Sequence, residues 1–181
     1  MLKPQDILVV LKFLTPDSAA RQTYATLGES LGLSASETHS AVKRAIRSGL
    51  LPGRIENLAT TRPFSPALAE LLCHGLRYFF PAEMGRMTTG LPTAESAPPL
   101  SLQLSATDAP PFVWPHPSGS VRGVAFEPLY PSAPDAALRD PALGEWLALA
   151  DALRSARGRV AGLARDEVQK RLREISYAAA A

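Results

Sequence analysis

The N-terminal fold is decided by Thr23–Leu51, which reads TYATLGESLGLSASETHSAVKRAIRSGLL. The first eight or nine residues predict a short helix whose opening threonine is the N-cap. Gly32 suits the left-handed conformation of a sharp turn. Ser34 or Ser36 can cap a second helix, and Ser34 has Glu37 three residues later, which is the spacing of a capping box. The stretch therefore predicts two helices joined by a glycine turn.

The segment before this stretch, residues 4–14, predicts another helix. It begins with Pro4, which suits a first turn. Its apolar residues fall at helical spacing, namely Ile7, Leu8, Leu11 and Leu14. A buried strand is the competing interpretation, because the run is partly β-branched.

Helix, glycine turn, capped helix and a closing Gly-Leu-Leu together resemble the helix-turn-helix of winged-helix bacterial transcriptional regulators of the MarR-like kind. The resemblance covers residues 4–51, under a third of the chain. The residues that carry it are Leu27, Gly28, Leu31, Gly32, Leu33, Val42, Gly49 and Leu50.

Three features depart from this pattern. Thr38 stands where the pattern usually has an aliphatic residue, and Gly28 stands where it usually has alanine. The β-hairpin wing should follow the second helix, but residues 52–63 alternate weakly and have a proline at each end. We therefore expect the wing to be short, irregular or absent.

The resemblance implies a repressor-like, DNA-binding transcriptional regulator that reads the major groove of double-stranded DNA with the helix 35–48. The residues expected to project towards DNA are Ala35, Ser36, Glu37, His39, Ser40, Lys43, Arg44 and Arg47. Glu37 can accept from a cytosine amino group, and the basic side chains suit phosphates. Arg21 and Arg54 flank the unit and add charge. The alternative is an interaction domain in which these side chains form a solvated face.

Residues 65–80 predict a further helix, with Ser65 as N-cap, Pro66 in the first position and Pro81 at the end. His74, Arg77 and Tyr78 share one face of that helix and are a candidate ligand or partner surface. The alternative is that these side chains bond to the proline-rich segment or pair with an acid.

Nothing in the sequence favours an enzyme. Its three histidines and one cysteine are scattered and have no metal-ligand spacing. Cys73 and His74 are neighbours, and neighbours on a helix diverge by about 100°, so they cannot form a nucleophile–base pair. We find no phosphate-binding glycine loop and no hydrolase motif, and we expect neither a metal nor a cofactor.

Proline is concentrated in the middle of the chain, with 12 of the 17 prolines between Pro81 and Pro141. A disordered linker would lack large apolar residues, but this segment carries many. We expect residues 90–140 to form an ordered, mostly extended arm with little β-structure, apart from a short strand over 121–126. Trp114 is either part of a ligand or partner surface or packed in the core.

The tail, residues 141–181, predicts a helical hairpin that begins after the cap Asp140 and breaks at Gly158. The expected fold is therefore mainly α. Residues 1–89 are expected to form the helix-turn-helix domain, a degenerate winged helix that includes the extra helix. Residues 90–140 are expected to form the arm, and residues 141–181 the C-terminal helices. Dimerisation through terminal helices is common in the family that the head resembles, so we expect a homodimer.

A second functional hypothesis is an antitoxin-like or adaptor protein, whose proline-rich arm and C-terminal helices bind a toxin-like or other partner protein. A third is a ligand-responsive regulator with its pocket near His74. No apolar run approaches the roughly 20 residues of a membrane span, and we expect no signal peptide at the N-terminus. We therefore expect a cytoplasmic protein without a membrane partner.

Overall fold

The computed structural model describes residues 1–17, 19–105 and 108–180, so small parts of the expected arm and tail lie outside it. The first half contains α1 (Pro4–Lys12), α2 (Tyr24–Leu31), α3 (Ala35–Arg47), α4 (Ser65–Glu70) and α5 (Leu76–Phe79). The second half contains β1 (Met84–Pro92), β2 (Phe112–Pro115), β3 (Val121–Phe126), α6 (Ala133–Arg139), α7 (Pro141–Ser155) and α8 (Gly158–Ala180). Short 3-10 turns lie at Ala19–Arg21, Ala94–Ser96 and Leu100–Leu102.

The head folds as its local signals predict. Residues 4–12 are helical, so the strand interpretation is wrong. Gly32 has a φ of +69° and ends α2 in the left-handed conformation. Ser34, not Ser36, caps α3: its hydroxyl accepts from the Glu37 amide at 3.2 Å, and the Glu37 carboxylate accepts from the Ser34 amide at 2.9 Å.

No wing follows α3. Residues 48–64 contain turns and bends but no strand. The loop is instead fixed at two points, by a bond from the Phe64 amide to the Leu50 carbonyl (2.9 Å) and by one from Arg21 to the Ala59 carbonyl (3.1 Å).

The predicted helix over 65–80 exists, but two details differ. Phe64 is the N-cap and Ser65 is already helical, so Ser65 does not cap; its hydroxyl accepts from Ser176 instead. A π-helical turn at Leu71–Gly75 separates α4 from α5. Such a turn shifts the faces of a helix relative to regular α-helical spacing.

The expectation of a mainly α fold with little β-structure in the arm is wrong. Only the short strand over 121–126 was expected, and it forms as β3. A three-stranded mixed sheet occupies the middle of the chain: β1 runs antiparallel to both β2 and β3, and β2 and β3 are parallel. Because each strand pairs with the other two, the sheet closes into a small barrel.

Glycine permits the tight closure of this barrel. A Cβ atom at Gly123 would overlap the carbonyl oxygen of Pro111, which receives a hydrogen bond from the Val124 amide at 2.8 Å. The backbones of adjoining segments therefore approach more closely than any side chain would allow.

One hydrophobic core joins the head, the barrel and the C-terminal helices. It contains Leu11 of α1, Trp114 of β2 and Leu147 of α7, all at least 96 % buried. Helix α1 lies within this core, since Ile7 through Leu11 have no exposed surface.

Asp151 of α7 is the polar centre of the contact between α7 and the barrel. Its carboxylate accepts from Thr93 (2.8 Å), from the Trp114 indole (2.7 Å) and from Arg154 (2.7 Å). Burial raises the pKa of Asp151, while Arg154 and the two other donors act in the opposite direction. Arg154 in turn donates to the carbonyls of Phe80, Pro81 and Glu127. This pair therefore connects α7, β2 and the end of α5.

We predict that Asp151→Ala lowers the free energy of unfolding by about 3 kcal/mol or more, because it leaves the buried Arg154 without its counter-charge. Urea unfolding followed by circular dichroism measures this. Asp166→Ala, which removes an exposed aspartate from α8, is the matched control and should change stability by less than about 0.5 kcal/mol. Equal effects of the two substitutions would contradict a structural role for Asp151.

Candidate nucleic-acid interface

The crossing of α2 and α3 depends on a close approach at Gly28. A Cβ atom there would lie 2.6 Å from the Leu33 carbonyl oxygen and 2.7 Å from the Thr38 hydroxyl. That hydroxyl donates to the Ser34 carbonyl at 2.9 Å and is buried. The two departures from the winged-helix pattern therefore fit each other, because Thr38 occupies space that alanine at position 28 would need.

Helix α3 presents one face to solvent and the other to the core. Its core face consists of Thr38, Ala41, Val42 and Ala45. Of the predicted contact residues, five are exposed, namely Ala35, Ser36, Glu37, Lys43 and Arg47. Three are half-buried, namely His39, Ser40 and Arg44. The predicted residues thus share one helix, but they do not share one environment.

Glu37 is part of the capping box at the start of α3. Its carboxylate accepts from both the amide and the hydroxyl of Ser34, the latter at 2.6 Å. Hydrogen bonds from the Ser34 hydroxyl and amide lower the pKa of Glu37. A carboxylate engaged in this way has less capacity to accept from a base.

His39 lies against Tyr24 at the start of α2. The two rings meet edge to face, with centroids 4.9 Å apart. The contact fixes the imidazole beside the exposed N-terminal half of α3. The pairing of Tyr24 with His39 depends on how α2 and α3 cross, which helical periodicity alone does not give.

Arg44 has a structural partner that the sequence did not indicate. Its Nε and Nη2 atoms donate to the two oxygens of Asp6, at 2.8 and 2.6 Å. Asp6 is completely buried, and its contact with Arg44 raises the pKa of the arginine. Arg44 therefore joins α3 to α1, which makes it less available for the phosphate contact predicted for it.

Lys43 and Arg47 are the cations that α3 leaves free. Both are exposed, and neither forms an ion pair with any residue that the structure describes. They lie four positions apart, so they share one side of the helix. Two positive charges therefore lie on the C-terminal half of α3, which follows its exposed N-terminal residues.

The two flanking arginines differ in their environments. Arg54 is 88 % exposed in the loop after α3, 3.9 Å from Glu56. Arg21 is completely buried and donates to the carbonyls of Lys12, Thr15 and Ala59. Arg21 thus satisfies backbone carbonyls at the end of α1 and in the loop after α3, and the prediction that it adds surface charge is wrong.

The second predicted surface is only partly assembled. The guanidinium of Arg77 lies 6.0 Å from the Tyr78 ring centroid, and His74 and Tyr78 are exposed. Trp114 is 3 % exposed and donates to Asp151, so it packs in the core and does not join this surface. The sequence does contain a signal for the Trp114–Asp151 contact, because Asp151 lies within the apolar stretch of α7 and so needs a buried partner.

The described residues give no sign of a metal or thiol site. No group of three or more histidine, cysteine, aspartate or glutamate side chains among them is arranged to hold a metal ion. Cys73 is buried in the π-helical turn, and burial raises the pKa of its thiol. None of the described helices is long and apolar enough to cross a membrane.

Comparison of the chain with known protein families, with curated proteins and with solved structures finds no match.

We predict that Arg44→Ala lowers the free energy of unfolding by about 3 kcal/mol, because it leaves the buried Asp6 carboxylate without its counter-charge. Arg47→Ala is the matched control, since it removes an exposed arginine from the same helix, and should cost less than about 0.5 kcal/mol. Urea unfolding of both variants measures the difference. Similar costs for the two would show that Asp6 does not depend on Arg44.

Proposed function

We propose that this protein is a DNA-binding transcriptional regulator that reads the major groove with the N-terminal half of α3. The observation that carries the proposal is the exposure of this half of α3, with Lys43 and Arg47 beside it, on a helix whose other face is buried. A recognition helix needs this arrangement, because its N-terminal residues must reach base edges while phosphates fix its register.

Five side chains of α3 are assigned a contact with DNA in the proposal. Ser36 and Ser40 offer hydroxyls to bases or phosphates, and Ala35 suits the methyl group of thymine. Lys43 and Arg47 bind phosphates, and the Arg44–Asp6 pair holds α3 at its angle to α1.

A homodimer is part of the proposal. The formal net charge of the chain is only +2, and one short helix makes few phosphate contacts, so a single copy would bind weakly. Two copies on two half-sites double the contacts. We propose that the protein acts in the cytoplasm, on double-stranded DNA.

We predict that Lys43→Ala combined with Arg47→Ala weakens binding to duplex DNA. The slope of log K against log salt concentration should become shallower by about 2, since each lost phosphate contact contributes about 0.9. Fluorescence anisotropy with a mixed-sequence duplex over a salt series measures this slope.

The matched control is Arg86→Ala combined with Arg122→Ala, which removes two exposed cations from the barrel strands β1 and β3. This control should keep the wild-type slope. Unchanged binding in the α3 double variant, or an equal loss in the barrel double variant, would refute α3 as the DNA-binding surface.

An adaptor role is the second candidate, and one observation favours it. Tyr78 and Phe79 are adjacent at the end of α5 and are 78 % and 69 % exposed. Large exposed apolar side chains that adjoin each other are typical of protein-binding surfaces.

The adaptor hypothesis predicts that the wild-type protein, expressed in its native host, purifies with a stoichiometric partner. Tyr78→Ser combined with Phe79→Ser should lose that partner, while Met87→Ser, at an exposed apolar position outside the arm and the C-terminal helices (44 %), should retain it. Gel filtration with light scattering measures the composition of each complex. A wild-type protein that elutes as a homogeneous homo-oligomer would count against this hypothesis.

A further inference from the structure

A groove of about 280 Å³ lies between the barrel and the helices α6 and α7. The side chains that line it are almost all apolar, and they include Leu91, Ala97, Pro98, Leu138 and Pro141. Leu138 is 50 % exposed at the groove. The volume of the groove is near the lower limit for small-molecule sites, which are also concave and mostly apolar.

The one charged residue among those lining the groove is Glu145. Its carboxylate accepts from Arg171 at 2.7 Å, and the same guanidinium also donates to Glu167 at 2.7 Å. Two carboxylates therefore share one arginine, so this cluster has a net negative charge. The charge at the groove favours an occupant that carries a positive group.

Helix α6 connects the groove to the helix-turn-helix. Leu138 lines the groove, while the next residue, Arg139, donates to the Glu29 carbonyl at 2.8 Å. At the other end of α6, the Ser132 hydroxyl donates to the Leu31 carbonyl at 2.5 Å. Both contacts hold the last turn of α2, immediately before Gly32. A displacement of α6 therefore acts directly on the turn that sets the position of α3.

We propose that this groove binds a small apolar amine and that α6 transmits the binding to the turn between α2 and α3. The regulatory consequence rests on the proposed DNA-binding function. The binding and its transmission do not, and both are measurable on the protein without DNA.

The first test is a titration of the isotope-labelled full chain, followed by amide NMR, with phenylbutylamine and with the shape-matched anion phenylbutyrate. The amine should shift the amides of Leu138 and Glu145 and bind about three- to five-fold more tightly than the acid. In Glu145→Gln this preference should disappear. Equal or tighter binding of the acid, or no shift at the groove with either compound, would overturn the proposal.

Leu138→Ala locates the site. It should weaken amine binding by about three- to ten-fold, because half of this leucine remains available for the ligand to cover. Leu102→Ala removes a leucine that is 80 % exposed and does not line the groove, and it should bind as the wild type does. An equal loss in both variants would place the amine elsewhere.

The second test concerns transmission. In the wild-type protein, the amine should also shift the amides of Gly32 and Leu33. In Ser132→Ala combined with Arg139→Ala, the amine should still shift the groove amides but should no longer shift the amides of Gly32 and Leu33. If the double variant does not fold, the single variant Ser132→Ala is used, and it should reduce the shifts of Gly32 and Leu33. Turn amides that do not respond in the wild type, or that respond equally in the variants, would overturn the coupling. Neither result bears on whether α3 binds DNA.

Discussion

The charges buried with α1 connect this helix to α3 and to the start of α7. Ile7 through Leu11 have no exposed surface, and the two charged residues of α1, Asp6 and Lys12, are buried with them. A buried charge needs a partner, because desolvation is costly. Asp6 is paired with Arg44 of α3, and Lys12 is paired with Asp17 and with Asp140 at 2.7 Å. The helix therefore sets the position of elements far from it in sequence.

These ion pairs hold elements from both halves of the chain against α1. Because Arg44 is paired with Asp6, the positive charges of α3 that remain unpaired among the described residues are those of Lys43 and Arg47. Asp140 is the N-cap of α7, so its bond to Lys12 fixes the start of the C-terminal helices against α1. Burial acts to raise the pKa of Asp140, but its contacts with Lys12 and with the α7 backbone outweigh burial, and the pKa lies below its usual value.

The helices of the head could be predicted from sequence because their signals are local: a capping box at Ser34, a left-handed glycine at 32 and helical apolar spacing in α1. The barrel could not, because β2 and β3 are short, the strands contain proline and glycine, and β1 pairs with residues 21 to 42 positions away in the chain. The properties of the site residues also differ in whether local sequence signals predict them. Exposure of Lys43 and Arg47 follows from helical periodicity, whereas the partners of Arg44 and Trp114 are set by tertiary packing that periodicity does not encode.

Reading of a DNA sequence by α3, as proposed, can be examined by selecting bound duplexes from a random pool with the wild-type full chain at physiological salt. We expect enrichment of one sequence arranged as two half-sites about one helical turn, or a multiple of one turn, apart, since the proposed dimer would present two copies of α3. A pool that remains unenriched after repeated rounds would contradict the proposal.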